Sequence, residues 1–117
     1  MFIIVSRLVA PAAGSDSLAL LLEKARYDSI RVDIMLQMGY ELYSFYPDSA
    51  VRYIEEALRL TKKNINVPEE GSSDWKSWQL LHARALRDYA RKILVKGDYP
   101  KALDMFQESM AIFDAQN

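Results

Sequence analysis

Apolar side chains recur at helical spacing along most of the chain. Leu18, Leu21, Leu22 and Ala25 fall on one face and predict a helix over 17–26, capped by Ser15 or Asp16. Ile30, Ile34, Met35, Met38, Leu42 and Phe45 predict a second helix over 30–45. Asp28 and Ser29 offer its cap, and Pro47 ends it because the residue before proline avoids helical geometry. Ala50, Ile54, Ala57 and Leu58 predict a third helix from Asp48 to about residue 62. Asp48 lies in its first turn, where a negative charge suits the dipole. Glu55 and Arg59 are spaced for an i,i+4 ion pair. A polar loop over 64–74 follows, then a fourth helix over 75–96 capped by Ser73 or Asp74. The last helix starts after Asp98 and carries Tyr99, Ala102, Leu103, Phe106, Met110 and Phe113 on its apolar side. The expected class is all-α, with about five helices.

The junction of the last two helices is the most specific stretch. Gly97 suits the left-handed residue that closes a helix, Asp98 suits an N-cap, and Pro100 falls in the first turn where a missing N–H is harmless. Tyr89, Ala90, Ile93, Gly97, Tyr99, Ala102 and Phe106 stand at the spacing of the tetratricopeptide repeat, and residues 83–113 resemble one such unit. Ser109 stands where the family usually has Ala, and Asp114 where it often has Pro. An earlier copy resembles the same pattern through Met35, Met38, Gly39, Leu42, Ala50, Ile54 and Ala57, with Pro47 in a turn one residue shorter. The marker alanines Ala50 and Ala102 are 52 residues apart, against a family period of about 34, so the connection between the copies is long. The resemblance implies stacked antiparallel hairpins, a fragment of a right-handed α-solenoid. Repeat one would span about 29–62 and repeat two about 75–115, within a single domain over 15–117. The stretch from Asp28 to Asp33 and that from Pro47 to Ala50 are similar to N-terminal repeats of bacterial sensor kinases and transcriptional regulators. That likeness implies a sensing or scaffolding segment of a signalling protein.

Composition narrows the picture modestly. The 117 residues suffice for one domain with a modest core. Fifteen basic and sixteen acidic residues give a net charge of −1, which argues against a general polyanion binder. There is no Cys, hence neither a disulfide nor a thiolate metal site. Residues 2–9 are apolar but interrupted by Arg7, too short for a membrane span of roughly 20 residues. The small residues that follow, Ala10 to Gly14, resemble a signal-peptide cleavage region, yet no basic residue precedes the apolar run. Residues 1–14 therefore read as an apolar terminal segment packing on the domain, or as the remnant of an export signal. The cytoplasm is the favoured compartment, and the periplasm follows from the export reading.

Catalytic chemistry finds no constellation. His82 is the sole histidine and lacks an orienting partner or a metal-ligand spacing, so it reads as structural or solvent-facing. The four glycines are isolated, which excludes a phosphate-cradling loop. The expectation is a non-enzyme without cofactor or metal. Trp75 and Trp78 share a helix face and read as packing over the second helix of the first repeat.

Arg84, Arg87 and Arg91 form one stripe by their i, i+3, i+7 spacing. In the tetratricopeptide pattern that stripe lines the concave groove, where Asp33, Leu36 and Tyr40, with Tyr43 a turn later, are the matching positions in the first copy. The implied function is a protein-interaction module that binds a peptide bearing acidic groups, since arginine grips a carboxylate with two parallel bonds. The alternatives are nucleic-acid binding through the arginine stripe and a purely structural self-assembly unit. Finally, the chain stops where another repeat would begin. Leu103 and Met110 should then face a missing neighbour and drive self-association, most simply as a two-fold dimer.

Overall fold

The computed structural model describes residues 11–116. Five helices follow one another: α1 (Pro11–Lys24), α2 (Asp28–Leu42), α3 (Pro47–Asn64), α4 (Ser73–Val95) and α5 (Tyr99–Gln116). No strand occurs among the described residues, so the all-α expectation holds.

Local chemistry sets the helix boundaries. α1 begins at Pro11, six residues before the expected start, so Ser15 and Asp16 lie inside it and do not cap it. Residues 1–10 lie outside the described residues. α2 begins after Tyr27, whose extended backbone serves as the cap position without a side-chain bond. Asp28 instead accepts a hydrogen bond from Asn64 Nδ2 at 3.0 Å, tying the start of α2 to the end of α3. α2 stops at Leu42, which leaves Phe45 in the turn and 76% exposed rather than in the core. α3 opens on Pro47, whose fixed φ and missing N–H suit the first helical position. The cap of α4 is Ser72, one residue before the expected pair. Its hydroxyl accepts from the Trp75 N–H at 3.1 Å.

The α4–α5 turn follows its expectation closely. Gly97 has φ +93°. The Asp98 N–H donates to Ile93 O and the Gly97 N–H to Leu94 O, the paired bonds of a Schellman stop. Asp98 Oδ1 then accepts from the Lys101 N–H at 3.3 Å, capping α5.

Partners across the helices fix their directions. Asp28 meets Asn64, and Gly39 lies against Ile54 and Ala50, so α2 and α3 are antiparallel. Ser109 bonds Ala83 O and Tyr89 lies near Lys101, so α4 and α5 are antiparallel. Thr61 meets His82 and Glu55 meets Tyr89, so α3 and α4 are antiparallel as well. Asp33 pairs with Arg84 and Tyr43 with Lys92, which makes α2 and α4 parallel neighbours. α4 thus touches α2, α3 and α5, whereas α5 packs on α4 alone among the described residues.

The main core gathers Val32, Met35 and Leu36 from α2, Ile54, Ala57, Leu58 and Leu60 from α3, and Ala85 and Leu86 from α4. Trp78 packs against this cluster, as its helix face predicts. Leu18 of α1 joins Ile34 and Met38 of α2 in a smaller cluster on the other side. The close approach of α2 and α3 depends on Gly39. A Cβ built there would stand 2.5 Å from Ile54 Cγ1.

Candidate functional site on the two faces of α4

Opposite faces of α4 carry opposite chemistry. Arg84, Arg87 and Arg91 project from one side, and His82, Leu86, Tyr89 and Ile93 from the other, as the helical period dictates.

On the first side the arginines meet α2. Arg84 Nη1 donates to Asp33 Oδ1 at 2.5 Å, with both side chains about one third exposed. Arg87 Nε reaches Asp88 Oδ1 at 3.4 Å, and Arg91 Nη1 approaches the same oxygen at 3.8 Å. Two carboxylates therefore serve three guanidinium groups. The Arg87 guanidinium also lies 5.9 Å from the centre of the Phe113 ring on α5. Beside them the Lys92 ammonium sits over the face of Tyr43, 3.6 Å from its centroid. Burial pushes the Lys92 amine below its usual pKa, partly offset by Asp88. Tyr40 stands 83% exposed at the edge of a small depression of about 40 Å³ with Asp88, Arg91 and Lys92.

Six of the seven expected groove residues, Asp33, Tyr40, Tyr43, Arg84, Arg87 and Arg91, lie along this α2–α4 face. Leu36 does not contribute. It is 1% exposed inside the main core, because α2 is covered by α1, α3 and α4 and leaves solvent a narrow strip.

On the second side α3 and α5 flank α4 without packing on each other, which leaves a groove of about 570 Å³ between them. Leu58, Leu86, Tyr89 and Met105 line it. A smaller hollow of about 240 Å³, which also contains Tyr89 and Lys101, continues it toward the α4–α5 turn. Charges along this side are partly committed. Tyr89 O–H donates to Glu55 at 3.3 Å. Burial first, then Glu55, raises the Tyr89 phenol above its usual pKa. Arg59 pairs with Glu56, three residues before it, and not with Glu55 as the i,i+4 spacing predicts.

His82 stands beside Glu108, a residue of the groove wall. Its Nδ1 lies 2.9 Å from Thr61 Oγ1, and that hydroxyl donates to Leu58 O at 2.9 Å. The hydroxyl hydrogen being used there, Nδ1 carries the proton of the shared bond. Nε2 faces Glu108 of α5 at 3.9 Å. Sequence reasoning missed this node and the groove, since their members come from three helices. A buried His and Thr 21 residues apart carry no motif.

Among the described residues no cluster of three His, Cys, Asp or Glu side chains could hold a metal ion. No described helix is long and apolar enough to cross a membrane. No family model, curated protein or solved structure matches the chain.

Proposed function

We propose that the chain is a non-catalytic protein-interaction module of tetratricopeptide type, whose α2–α4 face receives an acidic peptide of a partner protein. The observation that carries this is the charge imbalance of that face. Arg87 and Arg91 share the single carboxylate of Asp88, so beside exposed Tyr40 the three arginines outnumber the carboxylates that pair with them by one. An incoming carboxylate gains charge-assisted bonds there by replacing only the long Arg91–Asp88 contact. Support for the repeat reading comes from the parallel course of α2 and α4, the left-handed Gly97 stop, the tight Gly39–Ile54 contact and the burial of Ala102 and Ser109. A bacterial signalling protein is the context that the likeness near Asp28 and Pro47 implies.

The exposed stripe of α5 adds self-association to this reading. Leu103 and Met110 are 56% and 62% exposed on α5, whose only helical neighbour among the described residues is α4. An uncovered apolar stripe of this kind marks an interaction surface.

The test of the peptide site is anisotropy of labelled acidic peptides beside charge-neutral counterparts, on the wild type and on Arg87→Glu/Arg91→Glu. The double variant should keep its helicity and lose binding by about tenfold or more. Equal binding by both proteins would move the site elsewhere. Shallow salt dependence separates a peptide groove from phosphate binding, which weakens steeply with ionic strength.

A further inference from the structure

The groove between α3 and α5 and the outer stripe of α5 are chemically matched to each other. The groove presents an apolar floor of Leu58, Leu86, Tyr89 and Met105, with Lys62 at one end and Lys101 at the other. Among the described residues neither lysine has a carboxylate within 4 Å. Of the other charges of the groove, Glu55 accepts from Tyr89 and Arg59 pairs with Glu56, while Glu108 stands 3.9 Å from the neutral His82 ring. The groove therefore offers apolar depth with uncommitted positive charge at both ends.

The outer side of α5 offers the complement. Leu103 and Met110 project from one face, seven residues apart. At 1.5 Å of rise per residue that is about 10 Å, the same as the roughly 10 Å that α4 spans from Leu86 to Ile93 along the groove and the hollow that continues it. Asp104 and Asp114 flank the stripe on exposed positions of the same helix. An apolar helix edge with acidic flanks fits an apolar groove with lysine ends.

We propose that the chain assembles head to tail, with Leu103 and Met110 of one copy seated in the α3–α5 groove of a second copy. This rests on the reading of α5 as a self-association face, and it names what that face docks into. The donor and acceptor surfaces differ, so the contact is heterologous. It leaves one free groove and one free stripe at the ends of each assembly and grows into higher species as concentration rises.

Complementation tests the pairing. Sedimentation is run on the wild type, on Met110→Lys (stripe variant), on Lys62→Glu/Lys101→Glu (groove variant), and on an equimolar mixture of the two variants. Circular dichroism verifies that each variant keeps its helices, which the exposed positions of all three residues favour. The wild type should associate with rising concentration, and each variant alone should associate about tenfold more weakly. The mixture should form a one-to-one pair, because each variant retains the surface that the other lacks. A wild type that stays monomeric at high micromolar concentration overturns both this inference and the reading of α5 beneath it. A groove variant that associates like wild type, while the stripe variant does not, keeps α5 as a face and overturns the groove as its acceptor. A mixture that stays monomeric overturns the head-to-tail pairing.

Discussion

α3 and α5 are both 18 residues long, yet α3 buries six side chains and α5 two, Ala102 and Ser109. The difference lies in their neighbours. α3 is held between α2 and α4, whereas among the described residues α5 packs on α4 alone. In α3 the apolar positions Ala50, Ile54, Ala57, Leu58 and Leu60 wrap enough of the surface to meet two partners. In α5 the small residues Ala102 and Ser109 let it come close to α4, and Ser109 Oγ donates to Ala83 O at 2.7 Å across that contact. The larger side chains Leu103 and Met110 are left toward solvent. A helix flanked by two others thus spends its apolar surface on folding, and one packed on a single described neighbour leaves part of it exposed.

Truncation should expose this contrast most strongly. Ile54 is 1% exposed and belongs to the main core, so Ile54→Ala should cost about 2–5 kcal/mol through lost burial and an unfilled cavity. Leu103→Ala on α5 removes exposed atoms and should change monomer stability by no more than about 0.5 kcal/mol. Urea unfolding at a concentration low enough to keep the chain monomeric measures both. Comparable losses for the two variants would mean that α5 is covered in solution by something that also stabilises the fold.

A smaller loss is expected at Gly39, and it isolates the tight side of the comparison. An added methyl would stand 2.5 Å from Ile54 Cγ1 and 2.8 Å from Cδ1, with the isoleucine buried and unable to swing away. Overpacking of this kind costs about 1–3 kcal/mol. The better helix propensity of alanine returns up to about 1 kcal/mol. Gly39→Ala should therefore destabilise the chain by a net of roughly 0–2 kcal/mol, read as a lower urea midpoint. A raised midpoint would show that α2 and α3 can separate without loss.

The sequence was informative where the determinants are local. Gly97, Asp98 and Pro100 act within one turn, and the stop, cap and start that they form could be read from three neighbouring residues. The face of α2 could not. Val32, Ile34, Met35, Leu36 and Met38 are all buried, so the helix is apolar around most of its circumference and periodicity selects no single inner face. That is why Leu36 reads as a groove residue by counting and lies in the core by packing. The arginine stripe was legible as a stripe, but its partners were only partly so. Arg84 meets a carboxylate 51 residues away, and Lys92 meets a ring on another helix, pairings that depend on how α2 and α4 stack. Glu55 shows the same dependence: tertiary packing gives it to Tyr89, so Arg59 turns to Glu56.

The smallest effect concerns pH, and it tests the place where α3, α4 and α5 meet through Thr61, His82 and Glu108. Burial lowers the pKa of His82 from its usual 6.5; Glu108 at 3.9 Å opposes the shift, and Lys62 adds to it. The folded chain therefore holds its imidazole neutral at pH values where the unfolded chain has begun to take up a proton. Between the folded-state pKa and 6.5 the unfolded state binds more protons, so stability falls as pH falls through that window. Above it the contribution is complete, and below the folded-state pKa its loss levels off. Glu108 is exposed and offsets part of the cost, which keeps the slope shallow. Thermal melts in steps from pH 7.5 to about 5 should show a shallow decline that begins near pH 6.5. Glu108→Gln should steepen the decline by removing the opposing charge, and Lys62→Gln should flatten it. A melting temperature that falls equally in His82→Gln would assign the decline to carboxylates. The α3–α5 link would then be insensitive to protonation, and the contrast between the two helices would rest on packing alone.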